Sequence, residues 1–194
     1  MSEAVDIFDV GDLGSVVRKL VKEEARIDLA EFDVSTYTIP DDYTVTSRTF
    51  ESETYRKEIR AWIEPIIAEA EERGHPQNLF TALYEAVLNA YHHGNERDPE
   101  KTVTLAYKIT DQAVELSVMD EGGILDPEFL SFVLWHREGR HKEKVVSFYD
   151  FANKKRNDEN LGTGTTFMHQ YANVSYFKGE NGGLVVHMRA QKPE

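Results

Sequence analysis

Residues 85–94 read Glu85-Ala-Val-Leu-Asn89-Ala-Tyr-His-His93-Gly94. The stretch lies late in a helical run that opens after Pro76, with Gly74 closing the element before it, the usual placing of glycine at helix ends and proline in first turns. Leu79, Leu83, Ala86 and Ala90 recur at spacings of three and four and make one apolar stripe. Asn78, Thr81, Glu85, Asn89 and His92 follow the same period on another face. Side chains four apart stack along a helix, so Glu85 and Asn89 point the same way, one turn apart. A carboxylate beside a carboxamide suits a proton acceptor next to a hard metal ion. A solvated polar face would carry the same residues, so the meaning of the pair depends on the rest of the chain.

The 194 residues are 40% hydrophobic and 29% charged, enough for one globular domain with a sizeable core and an appendage. The net charge of −13 argues against nucleic acid or an anionic membrane as partner, because both demand a basic field. Small molecules and other proteins fit better. The absence of cysteine excludes disulfides and cysteine-ligated zinc. No apolar run reaches membrane-spanning length, and the acidic N-terminus lacks the apolar core of a signal peptide, so a cytoplasmic location is expected.

Outward from the central helix, residues 1–40 read as a helical appendage. Leu13, Val16, Val17, Leu20, Val21 and Ile27 fall on one face of an amphipathic helix, to be buried on its own domain or on a dimer or other partner. Residues 43–50 are rich in β-branched and aromatic side chains and predict a strand. A helix over 53–73 follows, with Tyr55, Ile59, Trp62, Ile63, Ile66 and Ala70 inward; Pro65 inside it should kink or split it.

Beyond Gly94, residues 103–109 and 114–118 alternate apolar and polar around Asp111-Gln112, the pattern of an antiparallel hairpin with one buried face. The second strand delivers Asp120 to a flexible Glu121-Gly122-Gly123 turn. Residues 128–160 open with a short helix around Phe129, Phe132, Val133 and Trp135, then turn basic. They hold seven of the 22 Lys and Arg: Arg137, Arg140, Lys142, Lys144, Lys154, Lys155 and Arg156. A segment of this length is a solvated loop or a functional lid whose cations meet phosphate. From Asn160 the chain runs Leu-Gly162-Thr163-Gly164-Thr165-Thr into a helix through Tyr171, and helix starts attract anions. Residues 174–177 and 184–188 predict a closing hairpin.

In this order the three segments resemble the GHKL (Bergerat-fold) ATPases, and among them the anti-sigma-factor serine kinases. The N box of that family, Glu-x-x-x-Asn-Ala-x-x-His-Gly, is matched by Glu85, Asn89, Ala90, His93 and Gly94. The first glycine box is matched by Asp120, Gly122, Asp126 and Pro127, with Ile124 where the family has its second glycine. The second glycine box is matched by Gly162-Thr163-Gly164. The resemblance covers about residues 43–190, and the lid at about 128–160 is longer than in the small kinases of the family.

The resemblance implies an α+β fold, a two-layer α/β sandwich over residues 41–194 with a mixed, mainly antiparallel sheet and helices on one face. It implies ATP and Mg²⁺ as cofactors. Asp120 would accept a hydrogen bond from the adenine amino group beside Gly122, and Asn89 would offer its carbonyl oxygen to Mg²⁺. Glu85 would be the catalytic base taking the proton of the attacking hydroxyl. Gly162, Thr163, Gly164 and Thr165 would present backbone to the phosphates, and Lys154, Lys155 or Arg156 would neutralise their charge. His93 would either reach the nucleotide or cap and pack the helix end. The implied activity is a protein serine/threonine kinase that phosphorylates or sequesters a regulatory protein, a sigma factor or an anti-sigma antagonist, with a homodimer as a further expectation. The alternatives are a nucleotide-binding switch without transfer and an ATPase that hydrolyses ATP.

Overall fold

The computed structural model describes residues 4–9, 22–23, 26–31, 33–142, 144–156 and 161–192. Leu13, Val16, Val17, Leu20, Val21 and Asn160 lie outside the described residues.

One antiparallel sheet carries the fold. Its strands, in chain order, are β2 (Thr44–Arg48), β3 (Val103–Ile109), β4 (Ala113–Met119), β6 (Asn173–Lys178) and β7 (Leu184–Gln191), arranged β2-β3-β4-β7-β6. A separate two-residue ladder joins β1 (Ile27–Asp28) to β5 (Ile124–Leu125). Every ladder is antiparallel, and the one parallel pairing among the described residues is an isolated bridge between Tyr37 and Gly179. The register sets the faces. Leu105, Val118, Val186 and Tyr176 lie in one row across the sheet, and all are buried toward the helices. Ala106, Ser117 and His187 lie in the next row on the opposite face, where Tyr37 covers them and its hydroxyl shares a 2.8 Å hydrogen bond with Ser117.

Two long helices lie on the core face. Helix α1 (Tyr55–Glu72) buries Ile59, Trp62, Ile63, Ile66, Ile67 and Ala70. Pro65 does not split it. Ala61 and Pro65 both face outward, so the Ala61 carbonyl that loses its partner meets water instead. Helix α2 (Leu79–Asn89) buries Leu79, Ala82, Leu83, Ala86 and Val87 to 1% exposure or less, so truncating either leucine to alanine should cost about 2–5 kcal/mol. The helix does not end at a simple cap. Residues Ala90–Gly94 widen into a π turn, closed by the Asn95 N–H on the Ala90 carbonyl at 2.7 Å.

The lid segment is partly helical. Helix α3 (Pro127–Arg137) starts on Asp126, whose Oδ1 accepts from the Glu128 N–H at 2.8 Å. A short turn (Arg140–Lys142) and helix α4 (Phe148–Phe151) follow, and the rings of Phe148 and Phe151 pack on Phe132. Helix α5 (Gly164–Tyr171) packs closely along α2. The described N-terminal residues join the same core: Ile7, Phe8, Ile27 and Leu29 are all buried in it, and Ile27, expected on the amphipathic helix, stands instead in strand β1, where pairing with Leu125 holds it extended. Asp6 is buried as well. It accepts from the Tyr176 N–H at 3.2 Å and pairs with Arg137 at 2.8 Å, which satisfies a donor on the outer edge of β6.

Candidate active site

Glu85 and Asn89 are half-buried, and neither makes a side-chain hydrogen bond among the described residues. Burial raises the pKa of Glu85, with the Arg56 charge opposing. A carboxylate with no bonded partner and a raised pKa can take up a proton. It rests on the second glycine box, because a Cβ added at Gly164 would overlap the Glu85 carboxylate and lie 3.2 Å from the Glu85 Cβ. Gly164 is therefore a close-approach glycine, needed because α2 and α5 press together at this point.

The other end of the N box meets the first glycine box. A Cβ at Gly94 would overlap the Asp120 carboxyl, and one at Gly122 would overlap the Gly94 carbonyl. Asp120 is 8% exposed. Its Oδ1 accepts from the Leu184 and Gly122 N–H groups, both at 3.0 Å, which holds the turn and leaves Oδ2 on the side of Gly94. Burial lifts its pKa to about 6, more than the two backbone hydrogen bonds lower it. Asn89 lies on the same helix as Glu85, four residues on and five before Gly94, so it stands between the two contacts. His93 keeps an exposed edge, yet desolvation lowers its pKa, followed by the Arg97 charge, with Asp126 opposing.

Ile124 does not strain the first box. The left-handed position there is Gly123, at φ +109°, whereas Ile124 is extended and pairs with Asp28. No periodic signal marks this ladder, and the Leu29 N–H adds to it by donating to the Gly123 carbonyl at 2.8 Å.

Around the second box, Gly162 takes φ +69° and packs under the Tyr149 ring, and its carbonyl accepts from the Phe148 N–H at 2.6 Å. Thr163 is half-buried and precedes α5, while Thr165 is buried inside it. The basic residues of the lid are not gathered here as a group. Lys154 is ion-paired to Asp126 at 3.4 Å and to Glu128, and Arg156 to Asp150 at 2.7 Å. Lys155 is exposed and makes no ion pair among the described residues. For Lys154 to meet phosphate it would have to exchange carboxylate partners for phosphate ones.

Asn89 fits a magnesium ion, since its carboxamide oxygen has no competing donor among the described residues, and Mg²⁺ takes few protein ligands beside phosphate and water. No three His, Asp or Glu side chains among the described residues come together as a ready-made cage, so the remaining ligands would come from nucleotide and solvent.

Three segments distant in sequence thus meet at the N box. Residues 46–190 match the family described as Histidine kinase-like ATPase domain, and the chain belongs to that family, within the GHKL superfamily. ATP binding follows from that membership. No curated protein matches the chain. No helix among the described residues is long and apolar enough to cross a membrane.

Proposed function

We propose that the protein is an ATP-dependent serine/threonine kinase of the anti-sigma-factor type, acting on a regulatory protein that it phosphorylates or sequesters. The observation that carries this reading is the Glu85 carboxylate, half-buried, without a hydrogen-bond partner among the described residues, and lying on the backbone of Gly164. A module that only held nucleotide would have no use for a carboxylate with a raised pKa set against the start of the neighbouring helix α5.

In this reading Asp120 Oδ2 accepts the adenine amino group, and Gly94 and Gly122 let the backbone close on the carboxylate that meets the base. Guanine presents an oxo group there and would leave two acceptors facing each other, a mismatch that sites of this kind reject strongly. Asn89 holds Mg²⁺ through its carbonyl oxygen, and the ion supplies charge neutralisation on the phosphates. The backbone of Gly162, Thr163 and Gly164 faces the phosphates at the start of α5. Glu85 takes the proton from a serine or threonine hydroxyl of the partner as it attacks, a contribution of roughly 10²- to 10⁴-fold. Lys154 or Lys155 stabilises the charge spread over the transferred group.

A second reading is a nucleotide-dependent switch without transfer. The ion pairs of Lys154 favour it, because they already neutralise one of the cations that transfer would use. Incubation with γ-labelled ATP and candidate regulatory proteins separates the two. Label on serine or threonine of a partner supports the kinase; nucleotide-dependent partner binding with no label supports the switch; release of free phosphate alone supports an ATPase.

A further inference from the structure

Asn95 is fully buried, yet it is a polar residue one position past the N box. Its side chain uses both ends. Nδ2 donates to the Thr102 carbonyl at 2.9 Å, and Oδ1 accepts from the Glu121 N–H at 2.8 Å. The Thr102 hydroxyl in turn donates to the Glu121 carboxylate. Asn95, Thr102 and Glu121 therefore form a closed clasp between the end of the π turn, the entry to β3 and the loop that carries Asp120.

The backbone around the clasp is held under constraint. Glu96 and Arg97 both lie in the left-handed region, at φ +56° and +61°, which residues with side chains adopt rarely and only where their surroundings enforce it. The clasp also sits directly behind the close approach of Gly94 to Asp120 and of Gly122 to the Gly94 carbonyl. Glu121, whose N–H it grips, is the next residue after Asp120.

Resting on the nucleotide reading above, we infer that Asn95 is a positioning residue for base selection: it fixes the Asp120 carboxylate against Gly94 so that Oδ2 meets the exocyclic amino group of a 6-aminopurine nucleotide. A hydrogen-bond test between an amino and an oxo group works only if the acceptor cannot shift, since a mobile carboxylate could turn away from guanine and admit water. The Leu184 and Gly122 N–H groups hold the carboxylate itself, and the anchor on the main chain at Glu121 holds in place the loop that carries it. A buried asparagine with both ends satisfied does this without adding charge beside Asp120.

The test compares fluorescent N-methylanthraniloyl-ATP and N-methylanthraniloyl-GTP binding to the full chain, alongside thermal unfolding without nucleotide. Asn95→Ala should cut the ATP-over-GTP affinity ratio at least tenfold. Asn95→Asp, which keeps an acceptor for the Glu121 N–H, should recover a measurable part of it. Thr102→Val, which removes only the hydroxyl of the clasp, should lower the ratio less and serves if Asn95→Ala does not fold. A purely structural role would lower the melting temperature and weaken both nucleotides equally; an unchanged ratio in Asn95→Ala, or in Thr102→Val when that is the folded variant, overturns the inference. If the unmodified chain binds both nucleotides equally, the assignment of Asp120 fails instead, and this inference falls with it.

Discussion

The Glu85 carboxylate lies against the backbone of Gly164 so closely that no side chain could stand at position 164 without displacing it. This contact joins the middle of α2 to the start of α5. It makes the glycine a condition for the placing of the acid, and it can be broken from either side.

Broken from the acid side, Glu85→Gln should keep Mg·ATP affinity within a few-fold and lower phosphoryl transfer by roughly 10²- to 10⁴-fold, measured in single-turnover labelling. Normal transfer by this variant would remove Glu85 from the role of base.

Broken from the glycine side, Gly164→Ala should also depress transfer, because its methyl group pushes the Glu85 side chain aside. Gly164 is not in the left-handed region, so alanine is free of backbone strain there, but its Cβ would stand 3.2 Å from the Glu85 Cβ, so a fall in melting temperature should accompany the loss of transfer. In the Glu85→Gln background the same substitution should cost far less transfer than it does alone. Full additivity in this double-mutant cycle would mean that the two residues act separately.

Asp120 carries a cost in the nucleotide-free protein. Its pKa rises to about 6 on folding, so the folded chain binds the extra proton between the ordinary carboxylate range and that value. The contribution of this group to stability therefore falls as pH rises through that window, by up to about 3 kcal/mol at neutral pH. Asp120→Asn, which can still accept from Leu184 and Gly122, should raise the melting temperature at pH 7 and abolish the further rise given by ATP. In the unmodified chain, ATP affinity should decline as pH drops below about 6. Titrations of both variants between pH 5 and 8 check this.

A second titration runs the other way. His136, His141 and His169 stack where α3 meets α5, with ring centroids 5.1–6.2 Å apart. Burial lowers His136 to about 4 and His169 to about 3. The unfolded chain then takes up protons that the folded chain refuses, so stability is full above the ordinary histidine range and is lost as pH falls toward those values, on the order of 2 kcal/mol per imidazole between pH 6.5 and 5. His169→Gln, which retains a polar partner for the Tyr176 hydroxyl, should flatten the loss of melting temperature in acid.

Asn89→Ala should weaken ATP binding when magnesium is present and leave it nearly unchanged in EDTA. Equal weakening in both would assign Asn89 to the nucleotide rather than to the ion.

The sheet and its helices were legible because their signals are periodic. Alternation over 103–109 and 114–118 gave β3 and β4 to within a residue, and the stripe through Leu79 and Leu83 gave the buried face of α2. The pairing of Glu85 with Asn89 was visible for the same reason. What was missed has no period. The ladder of Ile27–Asp28 on Ile124–Leu125 is two residues long. The clasp of Asn95 depends on where Thr102 and Glu121 arrive in space, and a lone asparagine after a glycine reads as a loop. The outward placing of Pro65 decided the continuity of α1, and the engagement of Lys154 with Asp126 and Glu128 could not be seen in a run of basic residues.

Residues 85–94, 120–122 and 162–165 should form one pocket for a single Mg·ATP. A crystal structure of the full chain with Mg²⁺ and a non-hydrolysable ATP analogue tests it most directly. The adenine amino group should lie on Asp120, the ion on Asn89 and the terminal phosphate between Glu85 and the start of α5. A nucleotide seated elsewhere, with Asp120 still closed against Gly94 and Leu184, would contradict it.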